Sequence, residues 1–194
     1  EEIIKNGDHG LNKIGSEHIL RRCRLPSQTE LDADKQMLQA AEDGDEGVMS
    51  EKINRGGADI LYKDINGNTA LHKIAENNHK LCLKMLLLYD DDVPSWYKLS
   101  GIESLNVYPY GSLTLAGINI INSKGETALM LAVKKQHNEI VDILLDESNI
   151  DVNVIAENGK TAFIIAAMVG NDYALQKLLD HKSTSNKMIN HKDA

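Results

Sequence analysis

Apolar and polar positions along this chain settle into a repeated figure. Three stretches carry it: "DINGNTALHKIAENNH" from Asp64 to His79, "NSKGETALMLAVKKQH" from Asn122 to His137, and "AENGKTAFIIAAMVGN" from Ala156 to Asn171. Each places polar residues around a glycine, reads Gly-x-Thr-Ala-apolar, and continues with small and aliphatic residues at helical spacing. A second apolar run follows each: "LCLKMLLL" (Leu81 to Leu88), "IVDILL" (Ile140 to Leu145) and "ALQKLL" (Ala174 to Leu179). Periodicity of this kind predicts amphipathic helices. Each stretch therefore predicts a turn followed by a helix pair.

The residue types fit such units. Thr69, Thr127 and Thr161 stand where a hydroxyl caps the first helix. Gly67, Gly125 and Gly159 serve a tight turn that needs positive φ. Ala75, Ala132 and Ala167 are small enough to let neighbouring helix pairs approach. Leu86-Leu87, Leu144-Leu145 and Leu178-Leu179 are expected to face the next unit, each fully buried leucine contributing about 1.5–3 kcal/mol. No unit can bury its own apolar face, so stability must come from stacked neighbours.

The spacing extends the pattern. Gly125 and Gly159 lie 34 positions apart. Ala40-Ala41 precede Ile74-Ala75 by the same distance, inside a fainter unit running from Lys35 to Ile60 that lacks the Gly-x-Thr start. The turn-plus-two-helices unit of about 33 residues carrying T-P-L-H-x-A belongs to the ankyrin repeat, and this chain resembles that family. Thr69, Ala70, Leu71 and His72 stand where the family has Thr, Pro, Leu and His. The later units keep Thr127 and Thr161 but replace His with Met130 and Ile164, and all three replace Pro with Ala.

The resemblance implies an all-α, ankyrin-like solenoid of stacked helix-turn-helix units with short β-turn or hairpin loops. The expected organisation is a leader or capping helix over 1–30, a degenerate capping repeat over 31–61, a repeat over 62–89, an inserted loop over 90–117, repeats over 118–151 and 152–189, and the start of another at 190–194. The first residue is Glu, and a processed chain or a piece of a longer one is expected.

The insertion shows as a departure from the period. Gly67 and Gly125 are 58 residues apart, 24 more than the later spacing. The extra residues hold the single Trp, Trp96, with Tyr97, Tyr108 and Tyr110, half of the eight aromatics. Insertions in solenoids map to one face, often the binding face, and Trp and Tyr are common hot-spot residues. Two readings stand: the rings bind a partner, or they fold back to shield a junction between units.

Gln136 occupies the turn between helices where Asn78 and Gly170 stand in the sister units, and left-handed geometry there costs about 1 kcal/mol or more. With the histidine hydrogen bonds missing at Met130 and Ile164, the array is expected to be less stable than is usual for the family. Unfolding well above about 65 °C would contradict this.

Composition narrows the function. The formal charge is −8, which disfavours nucleic acid and anionic lipid surfaces as partners. No apolar run approaches a membrane span, and the two cysteines, Cys23 and Cys82, form neither a disulfide framework nor a zinc pair. A cytoplasmic or other reducing intracellular compartment is expected, the host cytosol if the chain is an effector.

Candidate chemistry is thin. Gly159-Lys160-Thr161 matches the end of a phosphate loop, but Val154 stands where the first glycine belongs. No H-E-x-x-H, G-x-S-x-G or Cys/His ligand spacing occurs. No catalytic residue, metal or cofactor is assigned. At Asn153 the stretch "LDESNIDVN" resembles the pattern that asparaginyl hydroxylases modify in ankyrin proteins; the asparagine is read here as structural. By the same resemblance His72, His79 and His137 bond turn backbone.

The family likeness further implies a concave protein-binding surface of turn tips and first helices. The positions that vary while the framework repeats are Ile65, Asn66, Asn68, Glu76 and Asn77, then Ser123, Lys124, Glu126, Lys134 and Lys135, then Glu157, Asn158, Lys160 and Met168. With Trp96, Tyr97, Tyr108 and Tyr110 they form the expected partner-binding set. The expected role is that of a non-catalytic scaffold binding another protein, monomeric as an isolated chain. The alternatives are a recognition fragment of a larger modular enzyme or host-directed bacterial effector, and, on Gly-Lys-Thr alone, a nucleotide-binding enzyme.

Overall fold

In a computed structural model, residues 27–54, 58–88 and 117–181 are described. They form the helices α1 (Gln28–Asp43), α2 (Glu46–Asn54), α3 (Ala70–Asn77), α4 (Lys80–Leu88), α5 (Ala128–Lys134), α6 (Asn138–Leu145), α7 (Ala162–Val169) and α8 (Asp172–Asp180), with no strand among the described residues. Trp96, Tyr97, Tyr108 and Tyr110 lie outside the described residues.

The helices stack in two layers. α1, α3, α5 and α7 pack in sequence as one layer, α2, α4, α6 and α8 as the other, and each helix also packs on its own pair-mate. The apolar core runs between the layers through Met37, Met49, Leu71, Leu83, Leu86, Leu129, Ile140 and Leu144, all essentially without solvent contact. At the far end the burial fails. Leu178 is buried, but Leu179 is 42% exposed and Ala167 lies open to solvent, unlike Ala75 and Ala132.

Each helix pair turns through one left-handed residue: Gly44, Asn78, Gln136 (φ +60°) and Gly170. The residue after it reaches back to the preceding unit. His79 Nε2 contacts Glu42 O at 2.8 Å, His137 Nδ1 contacts Ala75 O at 3.0 Å, and Asn171 Nδ2 donates to Val133 O at 3.4 Å. The expectation that the histidines bond turn backbone holds for His72, whose Nε2 meets the tip carbonyl of Glu126, whereas His79 and His137 meet carbonyls in the last turns of α1 and α3. Gln136→Gly is expected to raise stability by about 1 kcal/mol, because glycine removes the left-handed penalty. A urea midpoint that does not move would contradict this.

Two of the three expected threonine caps form, whereas the Thr69 hydroxyl meets His72 Nδ1 at 2.9 Å instead. Thr127 and Thr161 Oγ1 accept from the Met130 and Ile164 amides at 3.3 and 3.4 Å. α1 starts earlier than the Leu31 boundary suggested. Ser27 and Glu30 close a reciprocal cap on it, with Ser27 N–H donating to Glu30 Oε2 at 2.7 Å.

Candidate partner-binding face

The turns before α3, α5 and α7 project as tips. In the first, Asp64 N–H donates to Asn68 O and Gly67 N–H to Asp64 O, both at 2.9 Å; Asn122 and Ala156 begin the same five-residue hairpin in the next two. Asp64 Oδ1 accepts from the Asn66 and Asn68 amides, and Asn122 Oδ1 from the Lys124 and Glu126 amides. Burial pushes the Asp64 carboxyl up, but these amides and Lys73 together hold it below the usual carboxylate range.

Tips bond to one another. Ser123 N–H donates to Asn66 O at 2.9 Å, and Glu157 N–H to Lys124 O at 3.2 Å. This ladder brings Asn66, Ser123, Lys124, Glu157 and Asn158 into one row. A side chain at Gly67 or Gly125 would strike it: an added Cβ would stand 2.7 Å from Ser123 N or 2.6 Å from Glu157 N.

Most of the expected strip faces solvent. Ile65, Asn66, Asn77, Ser123, Lys124, Lys134, Lys135, Glu157, Asn158 and Met168 are exposed, and Asn68, Glu76 and Lys160 are half-buried. Glu126 departs from the expectation of a solvent-facing turn. It is buried, its carboxylate takes the Lys134 ammonium at 2.8 Å, and its carbonyl lies 3.1 Å from His72 Nε2. The reading by analogy with Asn68 and Lys160 missed this closure. Lys135 pairs with Glu76 at 3.3 Å, tying α5 to α3 across the face. Exposed pairs of this kind contribute about 0–1 kcal/mol each.

The Gly-Lys-Thr stretch is a tip. Gly159 has φ +76°, Lys160 N–H donates to Asn158 Oδ1 at 3.1 Å, and the Thr161 hydroxyl caps α7. These groups are committed to the turn and form no phosphate cradle. Among the described residues no group of His, Cys, Asp and Glu is arranged to hold a metal, and no helix is long and apolar enough to cross a membrane.

The other layer holds a cluster that sequence reasoning did not find. Tyr173 donates its hydroxyl to Asp142 at 2.6 Å, and Lys177 meets Asp142 at 3.0 Å while lying 5.3 Å from the Tyr173 ring. The partners lie 31 and 35 residues from Asp142, one repeat on, a spacing that identifies neighbours only once the register is known.

Paired helices stacked in two layers, with turns aligned along one edge, define a helical repeat solenoid. Two sequence models of ankyrin repeats match it, a many-copy model over residues 37–87 and a three-copy model over 102–193. The chain belongs to the ankyrin repeat family, whose repeats are in general protein–protein interaction modules and typically non-catalytic.

Its relatives are longer proteins. It is 30% identical over 179 residues to the transient receptor potential cation channel subfamily A member 1 of Homo sapiens, a match covering 91% of this chain and 13% of the channel. It is 36% identical over 114 residues to the E3 ubiquitin-protein ligase XBAT32 of Arabidopsis thaliana, covering 57% of this chain and 22% of the ligase. An ankyrin repeat domain-containing protein of Monkeypox virus, OPG023, is 29% identical over 148 residues, covering 75% and 22% of the two chains. The chain thus spans under a quarter of each of these relatives.

Proposed function

We propose that this chain is a non-catalytic scaffold that binds a partner protein through its tips and first helices, with the aromatic insertion contributing from residues 90–117. The observation that carries this reading is the tip row. Backbone groups make the bonds between tips, so the side chains are free to differ, and Ile65, Ser123 and Glu157, like Asn68, Glu126 and Lys160, vary along it. Such a row offers a broad mixed surface, the kind of surface that suits a protein partner.

The free, buried Cys82 thiol fits a reducing compartment. The bare face around Ile164 and Met168, 42% and 61% exposed where sister Met130 is 1%, fits burial by a further repeat, in line with a match that extends to residue 193.

Affinity capture from the cells that make the protein tests the reading. Intact chain is expected to recover a partner that a Ser123→Arg, Glu157→Arg double variant loses by about tenfold or more, with the unfolding midpoint unchanged, since both side chains are exposed. Equal recovery would overturn the assignment of the tips. A chain lacking 90–117 that captures the same proteins equally well makes the insertion a structural patch.

The match to a ubiquitin ligase supports a second reading, in which the chain is the recognition segment of a larger modular enzyme. A full-length coding sequence without a catalytic domain would remove it.

A further inference from the structure

The tip row is unfinished at its first member. Ser123 and Glu157 donate their amides to the tip before them. The equivalent donor in the first tip is Ile65 N–H, and among the described residues it meets no acceptor. The cause is α1. One 34-residue period before Ile65 lies Leu31, inside the helix Gln28–Asp43, so the chain runs on as helix where the later units turn.

A cavity of about 350 Å³ opens where that tip is missing. Leu38, Tyr62 and Ile65 give it apolar lining, and Lys35, Glu42, Asp64 and Lys73 give it charge of both signs. Ile65 is 98% exposed, although its sister positions carry the polar Ser123 and Glu157. Lys73 is held by Glu42 at 3.0 Å and Asp64 at 3.4 Å. Lys35 has no ion-pair partner among the described residues.

We propose that this open edge binds an extended peptide segment of a partner protein, one that carries a large apolar side chain beside a carboxylate. A peptide carbonyl takes the vacant Ile65 N–H, as Asn66 O and Lys124 O do for the next two tips, so the segment adds to the row in place of the missing tip. Its apolar side chain covers Leu38, Tyr62 and Ile65, and its carboxylate meets Lys35. Backbone bonds supply register and the pocket supplies selectivity, as in strand addition generally. The proposal rests on the protein-binding reading above and assigns one subsite within it.

A random-peptide phage library selected on the intact chain, followed by amide NMR titration of the selected peptides, tests it. Selected sequences are expected to pair a large apolar residue with Asp or Glu and to shift the Ile65 amide. Ile65→Asp is expected to weaken binding by about thirtyfold and Lys35→Glu by about tenfold, while Lys84→Glu, on the opposite layer, leaves it unchanged. Both altered side chains are exposed, so folding is retained. Peptides that shift only the α5 and α7 units would overturn this site and leave the broader reading standing. A library that yields no binder would overturn both. Slow hydrogen exchange at Ile65 in the peptide-free chain would show that a segment of the protein itself, such as residues 1–26, already fills the edge, and would also overturn the proposal.

Discussion

Gly125→Ala is expected to destabilise the protein by about 3 kcal/mol, and Gly159→Ala by only about 1 kcal/mol. Both glycines have positive φ, +70° and +76°, so an alanine at either meets a left-handed penalty of about 1–2 kcal/mol. Their surroundings differ. A Cβ at Gly125 would stand 2.6 Å from Glu157 N and 3.1 Å from Ala156 Cα, while one at Gly159 meets nothing within 4 Å. Those atoms near Gly125 are backbone and cannot rotate aside. The third tip must shift, and the Glu157 N–H to Lys124 O bond goes with it, at about 1 kcal/mol. Denaturant unfolding with an unchanged slope reads the difference directly. Equal losses at the two sites would show that the tips do not depend on close stacking.

What was legible in the sequence is what local chemistry dictates. Gly-x-Thr specifies a turn and a cap within a few residues, and so Thr127, Thr161 and the three tip glycines were readable, as was the left-handed Gln136. Ser27-x-x-Glu30 is an equally local signal, but it falls inside 1–30, the segment expected to be a leader or capping helix. The tip ladder was not legible, because it joins backbone atoms of residues 57 and 33 positions apart, and no side chain announces it. Glu126 shows the limit of analogy between units: it shares a register with Asn68 and Lys160, but tips flank it on both sides and Lys134 reaches it. Small residues misled in another way. Ala132 is in register with Ile74, not with Ala75, whose true counterpart is Val133. Ala167 and Leu179 follow the pattern yet remain exposed, because a repeat carries the chemistry for burial whether or not a neighbour covers it.

The second large effect concerns His72, the one unit position that keeps the family histidine. Its Nε2 lies 3.1 Å from Glu126 O, and a carbonyl only accepts, so Nε2 carries the proton. Nδ1 is then the acceptor for the Thr69 amide at 3.2 Å, with the Thr69 hydroxyl at 2.9 Å. The ring is buried, and burial pushes its pKa below the usual value of about 6.5. The Glu126 carbonyl bond pulls the other way; of the nearby charges Lys63 lowers it further and Asp64 raises it. The unfolded chain therefore takes up a proton at a higher pH than the folded chain. His72 contributes fully above about pH 6.5, and its contribution falls as the pH drops toward the folded-state value, by up to about 1.4 kcal/mol per pH unit. His72→Met, which installs the residue found at position 130, removes both bonds and the titration. At pH 7.5 it is expected to cost about 2 kcal/mol, since Glu126 O and Thr69 N–H lose their partner. At pH 5.5 the gap between the two proteins is expected to narrow by about 1 kcal/mol. Unfolding free energies of both proteins at the two pH values decide the matter: a gap that stays constant with pH would mean the buried ring is not held neutral, and the tautomer assigned from Glu126 O would fall with it.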